Sequence, residues 1–142
     1  MLTKIFIGFI KQRILKSTRN CTFHQLLYTI SNKHIAVVSN KFYAATQELV
    51  HHFFGEKIQV AIGERVNIRK KPAPDTVNEA LRLLGVSREN AVYIGDSDVD
   101  IMTAKNSGMP CISVLWGFRD KRFLIEHGGE TFVEKPSEIL DI

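Results

Sequence analysis

Three short stretches of this chain carry side chains of the type and spacing that phosphoryl chemistry needs. The first is Gly95-Asp96-Ser97-Asp98-Val99-Asp100, directly after the apolar Ala91-Val92-Tyr93-Ile94. Asp100 follows Asp96 by four residues, so a helical turn between them brings both to one side. Carboxylates crowded at one strand end repel unless a cation compensates them. Mg²⁺ suits such a place, because it takes oxygen ligands, keeps several waters and binds phosphate. An exposed acidic helix cap is the alternative. A calcium loop of the EF-hand kind is excluded, since Ile101 stands where glycine is needed and Ser107 where glutamate is needed. Asp98 is the least committed of the three and either faces solvent or caps the helix.

The second stretch is Ser39-Asn40, after the apolar Ile35-Ala36-Val37-Val38. A hydroxyl and the following backbone N–H groups can cradle phosphoryl oxygens there, although a Ser-Asn pair also serves as a helix cap. The third is Lys71, between Lys70 and the stiffening prolines 72 and 74. A fixed ammonium offsets charge on phosphate and on an attacking carboxylate; the alternative is a solvated basic loop, Arg69-Lys70-Lys71.

Positioning these groups requires strands alternating with helices. Short apolar runs at Ile35–Val38, Ile58–Ile62, Ala91–Ile94, Pro110–Leu115 and Phe132–Val133 read as strands of a parallel sheet buried on both faces. Between them the pattern predicts helices over Phe42–Phe54, from Asp75 to a stop at Gly85, through Ile101, Ala104 and Lys105 to a stop at Gly108, and over Arg119–His127, with a last helical turn at Pro136–Leu140. The result is an α/β fold, a three-layer doubly wound parallel sheet, with its loops for binding at the C-terminal ends of the strands.

The 142 residues fit one domain, and 44% hydrophobic with 24% charged residues is an ordinary globular composition. Cys21 and Cys111 show neither metal spacing nor a disulfide framework, so a reducing, cytoplasmic compartment is expected. No apolar run approaches membrane-spanning length. The net charge of +4 is uneven: residues 1–41 hold seven Lys or Arg and no acid, whereas residues 42–142 hold twelve basic and fifteen acidic residues. Basicity therefore belongs to the N-terminal segment, and no nucleic-acid partner is expected. Residues 1–33 read as an atypical basic segment with three meanings left open: an amphipathic surface or targeting helix, a short strand at Lys4–Ile10, or foreign sequence joined to a truncated domain.

Taken in order, Ile35–Lys41, Lys71-Pro72-Ala73-Pro74-Asp75, and Tyr93–Ile101 with Ala104–Met109 resemble successive motifs of the haloacid dehalogenase-like phosphatases. Ser113–Phe118 is similar to the continuation in their phosphoglycolate phosphatase branch. The resemblance runs from about residue 34 to the C-terminus. It implies that Ser39, with backbone groups near Asn40, binds the phosphoryl oxygens, that Lys71 neutralises charge, that Asp96 ligates Mg²⁺ and that Asp100 holds the ion or its waters. It implies a small phosphorylated metabolite such as 2-phosphoglycolate as substrate. In the family an aspartate attacks phosphorus, and a second aspartate two residues later is the general acid and base.

Here the chain departs from the pattern. That Asp-x-Asp pair belongs at the end of the family's first strand, yet the chain has no aspartate before Asp75 and no acid before Glu48. Residues 34–142 thus read as a core lacking its usual first strand, and nearly all of the substrate-covering cap is missing. The family's first strand lies between those at Ile35–Val38 and Ala91–Ile94, so Lys4–Ile10 is expected to plug the gap, with Ile7 and Phe9 standing where the aspartates would be, or the chain to fold poorly. The functional expectation is a Mg²⁺-dependent phosphomonoester hydrolase by family, inactive as a truncated or frame-shifted chain. The alternative is a non-catalytic module that binds phosphate, metal or a partner.

Overall fold

The computed structural model describes residues 5–8, 25 and 27–142, with the backbone alone for residues 5–8. The elements are β1 (Ile5–Gly8), β2 (Ile35–Phe42), α1 (Tyr43–Phe54), β3 (Val60–Glu64), α2 (Asp75–Leu84), β4 (Ala91–Gly95), α3 (Asp98–Asn106), β5 (Cys111–Val114), α4 (Lys121–Glu126) and β6 (Thr131–Val133). A 3₁₀ turn over Pro136–Asp141 follows β6. The six strands form one parallel sheet in the order β3-β2-β1-β4-β5-β6.

The strands alternate their side chains between two apolar layers, as the two-residue period requires. On one face Ile35, Val37, Val92, Ile94, Ile112 and Val114 pack with Val50 and Phe54 of α1 and with Ile139. On the other, Ala36, Val38, Ala91 and Tyr93 pack with Val77, Ala80 and Leu81 of α2 and Ala104 of α3. Because both faces are covered, the strands read as continuous apolar runs. This is the three-layer α/β architecture expected from the pattern.

β1 occupies the place between β2 and β4. Phe6 is level with Ile35 and Val92, and Ile7 with Ala36 and Tyr93. Phe9 and Ile10, the end of the expected plug, lie outside the described residues. Ile7 lies in a row three residues short of both Ser39 and Asp96.

The boundaries of β3 and β2 differ from the expected ones. The strand expected over Ile58–Ile62 begins at Val60, because Gly55–Lys57 forms a 3₁₀ turn and Ile58 enters the core from that turn. Gln59 brackets the start of β2, donating its backbone N–H to the Ile35 carbonyl at 3.1 Å and accepting the Ile35 N–H on Oε1 at 2.8 Å. β2 runs on to Phe42 through an irregularity after Val38, so Ser39 and Asn40 lie within the strand. The N-cap of α1 is Phe42, which removes the helix-cap reading of Ser39-Asn40.

Helix ends follow the stop and start signals. Gly85 (φ 66°) closes α2 by donating to the Arg82 carbonyl while Val86 reaches back to Leu81, the paired bonds of a Schellman motif. Ser97 caps α3, and Asp120 caps α4 by accepting the Phe123 N–H at 2.9 Å. Among the described residues no helix is long and apolar enough to cross a membrane.

Candidate active site

The C-terminal ends of β2 and β4 and the loop before α2 converge on one buried polar network. Asp100, in the first turn of α3, is 1% exposed at its side chain, and Lys71 is 8% exposed. The Lys71 ammonium donates to Asp100 Oδ1 at 2.8 Å. The Tyr93 hydroxyl donates to the same oxygen at 3.0 Å and lies 3.4 Å from Lys71 Nζ. Asp100 Oδ2 accepts the Ser97 hydroxyl at 2.8 Å and the Asp96 amide at 3.1 Å. Asp100 therefore holds the loop of the acidic run from within, with both carboxylate oxygens engaged by protein donors.

The basic run Arg69-Lys70-Lys71 divides by burial. Arg69 pairs with Asp75 and Lys70 with Glu64 on the surface, at 75% and 56% exposure. Only Lys71 turns inward. Its loop is fastened to β2 by a reciprocal pair: the Lys71 amide donates to Asn40 Oδ1 at 2.8 Å, and Asn40 Nδ2 donates to the Lys71 carbonyl at 3.1 Å. Asn106, at the end of α3, donates to the Pro72 carbonyl at 2.9 Å. Ser39 is buried beside Asn40 and accepts the Lys41 amide on Oγ at 3.1 Å.

Asp96 is buried at the end of β4 and accepts the Phe118 amide on Oδ2 at 2.8 Å. Asp98 is turned outward, 3.9 Å from Arg119 Nε, and takes no part in the network. Lys71, Asp96 and Asp100 are thus brought together, Asn40 positions the lysine, and Ser39 joins through its neighbour in the chain. Tyr93 and the turn at Phe118 were not anticipated as site residues. The available signal was chemical: a tyrosine within a buried aliphatic strand needs a partner for its hydroxyl.

Burial alone would push the Asp100 carboxyl up, but the Lys71 charge, aided by the donors at Asp96 and Ser97, outweighs it and holds Asp100 below the usual carboxylate range. Burial, reinforced by the Asp100 charge, pushes the Tyr93 phenol well up. The same two causes raise the Cys111 thiol to about 12. The ion pair is therefore flanked by a phenol and a thiol whose neutral forms burial favours.

Among the described residues no group of three or more His, Cys, Asp or Glu side chains could hold a metal. Asp100 is engaged by Lys71, Tyr93, Ser97 and the Asp96 amide, and Asp96 accepts the Phe118 amide beside it. One or two carboxylates at such a strand end fit Mg²⁺, which completes its shell with waters and substrate phosphate, better than Ca²⁺.

The chain is similar to known proteins. The model of the family described as haloacid dehalogenase-like hydrolase matches residues 12–114. The chain is 38% identical over 86 residues to a phosphoglycolate phosphatase of Rhodobacter capsulatus, covering 60% of this chain and 38% of that protein. It is 38% identical over 96 residues to a glyceraldehyde 3-phosphate phosphatase of Methanopyrus kandleri, covering 66% and 40%. A crystal structure from Lactobacillus delbrueckii subsp. bulgaricus, assigned as a phosphoglycolate phosphatase, superposes with a TM-score of 0.78 at 44% identity, over 81% of this chain and 49% of that one. The chain thus spans about two fifths of these two curated relatives and half of that structure. A family match over most of the chain and a sheet whose strand ends gather Lys71, Asp96 and Asp100 lead to one conclusion: the chain belongs to the haloacid dehalogenase-like hydrolases.

Proposed function

We propose that this chain carries the phosphate- and cation-binding side of a Mg²⁺-dependent phosphomonoester hydrolase of the phosphoglycolate phosphatase type, and that by itself it turns over phosphomonoesters at background rates. The observation that carries this reading is the buried Lys71–Asp100 pair beside Asp96, formed in a chain with no carboxylate before Glu48. Relatives named phosphoglycolate phosphatase and glyceraldehyde 3-phosphate phosphatase support a small phosphorylated metabolite such as 2-phosphoglycolate as the ligand.

In this reading Lys71 presents a fixed ammonium to the phosphoryl oxygens, and Ser39 with the backbone after it receives the others. Asn40 sets the height of the lysine loop, and Asp100 aims the ammonium. Asp96 would hold Mg²⁺, whose chemistry is to draw charge from the phosphoryl group. Covalent catalysis also needs a nucleophile at the end of the central strand, and Ile5-Phe6-Ile7-Gly8 offers none.

The test is phosphate release from 2-phosphoglycolate or para-nitrophenyl phosphate with Mg²⁺. The expected result is no release above the protein-free rate. Clear turnover that disappears in Asp96→Asn would overturn the inactivity and require another nucleophile. A non-catalytic binding role is the second reading, favoured by the intact ion pair. Calorimetry should find 2-phosphoglycolate binding in the presence of Mg²⁺, lost in Lys71→Met; a folded wild-type sample that binds neither ligand dismisses this role.

A further inference from the structure

The turn after β5 grips Asp96 from outside the acidic run. Phe118 N–H donates to Asp96 Oδ2 at 2.8 Å, and Arg119 N–H donates to the Asp96 carbonyl at 3.2 Å. Gly117 lies so close beneath the aspartate that a Cβ placed on it would stand 2.3 Å from Asp96 Cβ and 2.6 Å from Oδ2. Nothing in the backbone asks for glycine at this position, since Gly117 is outside the left-handed region that Gly55, Gly85, Gly108 and Gly128 occupy. Its reason is the close approach. Asp96 has little room to withdraw, being 1% exposed with its amide tied to Asp100.

The turn is itself anchored. The Arg119 guanidinium lies over the rings of Phe118 and Phe123, 4.3 Å from each centroid, and Phe123 N–H is bound by the Asp120 cap of α4. Movement at Gly117 would therefore have to displace a helix start and a stacked cation as well.

We propose that Gly117, with the Phe118 amide, is the positioning element that sets the direction of the Asp96 carboxylate toward a divalent cation. This rests on the reading of Asp96 as the cation carboxylate. An alanine at 117 forces the carboxylate aside without changing any charge or donor type. The orienting partners of a metal ligand are worth about ten- to a hundredfold in metal affinity.

The experiment uses the full chain, Mn²⁺ as the probe followed by electron paramagnetic resonance, and thermal unfolding in a chelator. Gly117→Ala should weaken Mn²⁺ binding by at least about tenfold. Gly85→Ala is the control: residue 85 is in the left-handed region with nothing within 4 Å of an added Cβ, so alanine there lowers the Tm without reaching Asp96. Its Mn²⁺ affinity should stay unchanged. A folded Gly117→Ala protein that binds Mn²⁺ like wild type overturns the proposal.

A second measurement needs no metal. Asp96→Gly removes the atoms that an alanine at 117 would strike, so the Tm loss from Gly117→Ala should fall by at least half in that background. Equal losses in both backgrounds overturn the grip itself. If Gly117→Ala alone does not fold, the double variant should recover the melting curve of Asp96→Gly, and failure to do so overturns the grip as well. A wild-type chain that binds no Mn²⁺ removes the cation role of Asp96 and of Gly117 together, while the Tm comparison still decides whether the two residues press on each other.

Discussion

Lys71 and Asp100 are worth most to each other. Removing the cation by Lys71→Met leaves a carboxylate 1% exposed without its counter-charge, and should cost about 3–5 kcal/mol in denaturant unfolding. The double variant Lys71→Met with Asp100→Asn should cost less than the two single losses together. pH reads the same cluster from both sides. Asp100 titrates below its ordinary value in the folded chain, so its contribution is complete above about pH 3.9, the unfolded value, and disappears as pH falls through the folded value. Cys111 behaves oppositely: its folded value of about 12 lies above the ordinary 9.0, so the unfolded chain loses the proton first. Above pH 9 this thiol should erode stability by about 1.4 kcal/mol per pH unit, and Cys111→Ala should flatten the alkaline limb of a Tm-against-pH series. Tyr93→Phe should remove a further part of the alkaline loss, since the unfolded phenol ionises before the buried one. The charged members of the cluster were legible from their types and spacing. Tyr93 and Cys111 were not, because neutral residues become part of an electrostatic site only through the fold that places them near Asp100.

At the scale of elements, the site depends on tethers between strand ends and loops. Asn40 holds the Lys71 loop through both its donor and its acceptor, so Asn40→Ala should cost about 1 kcal/mol per lost bond and quicken amide exchange at Lys71. Asn40→Asp keeps the acceptor and loses the donor, and should fall between the two. The order of strands and helices from Ile35 onward was readable because apolar runs and glycine stops mark it locally. The irregularity after Val38 was not readable. It comes from pairing across to Glu64, a residue distant in the chain, and it converts an apparent helix cap into the end of a strand. Lys71 stood out beside its prolines, and burial now separates it from Arg69 and Lys70, whose partner acids Asp75 and Glu64 lie on either side of the run.

For the molecule as a whole, the short β1 is the only strand among the described residues that joins β3-β2 to β4-β5-β6. Amides of residues 5–8 should exchange slowly in the folded chain, since their partners lie on both sides; prompt exchange there would show the sheet divided. Ile7→Pro removes a ladder donor at that centre and should abolish the cooperative melting transition seen by circular dichroism. The presence of β1 was foreseeable from the gap its absence would leave, whereas its row relative to Ser39 and Asp96 was not, because register is set by pairing. The seam it closes has a further consequence. Ser39 and Asn40 belong to one side of the sheet and Asp96 and Asp100 to the other. A bound anion gripped by both sides would act as a rivet across the seam, adding stability that grows with its concentration as RT ln(1 + [L]/Kd). Variants weakened in β1 should therefore be the ones whose melting responds most visibly to added 2-phosphoglycolate.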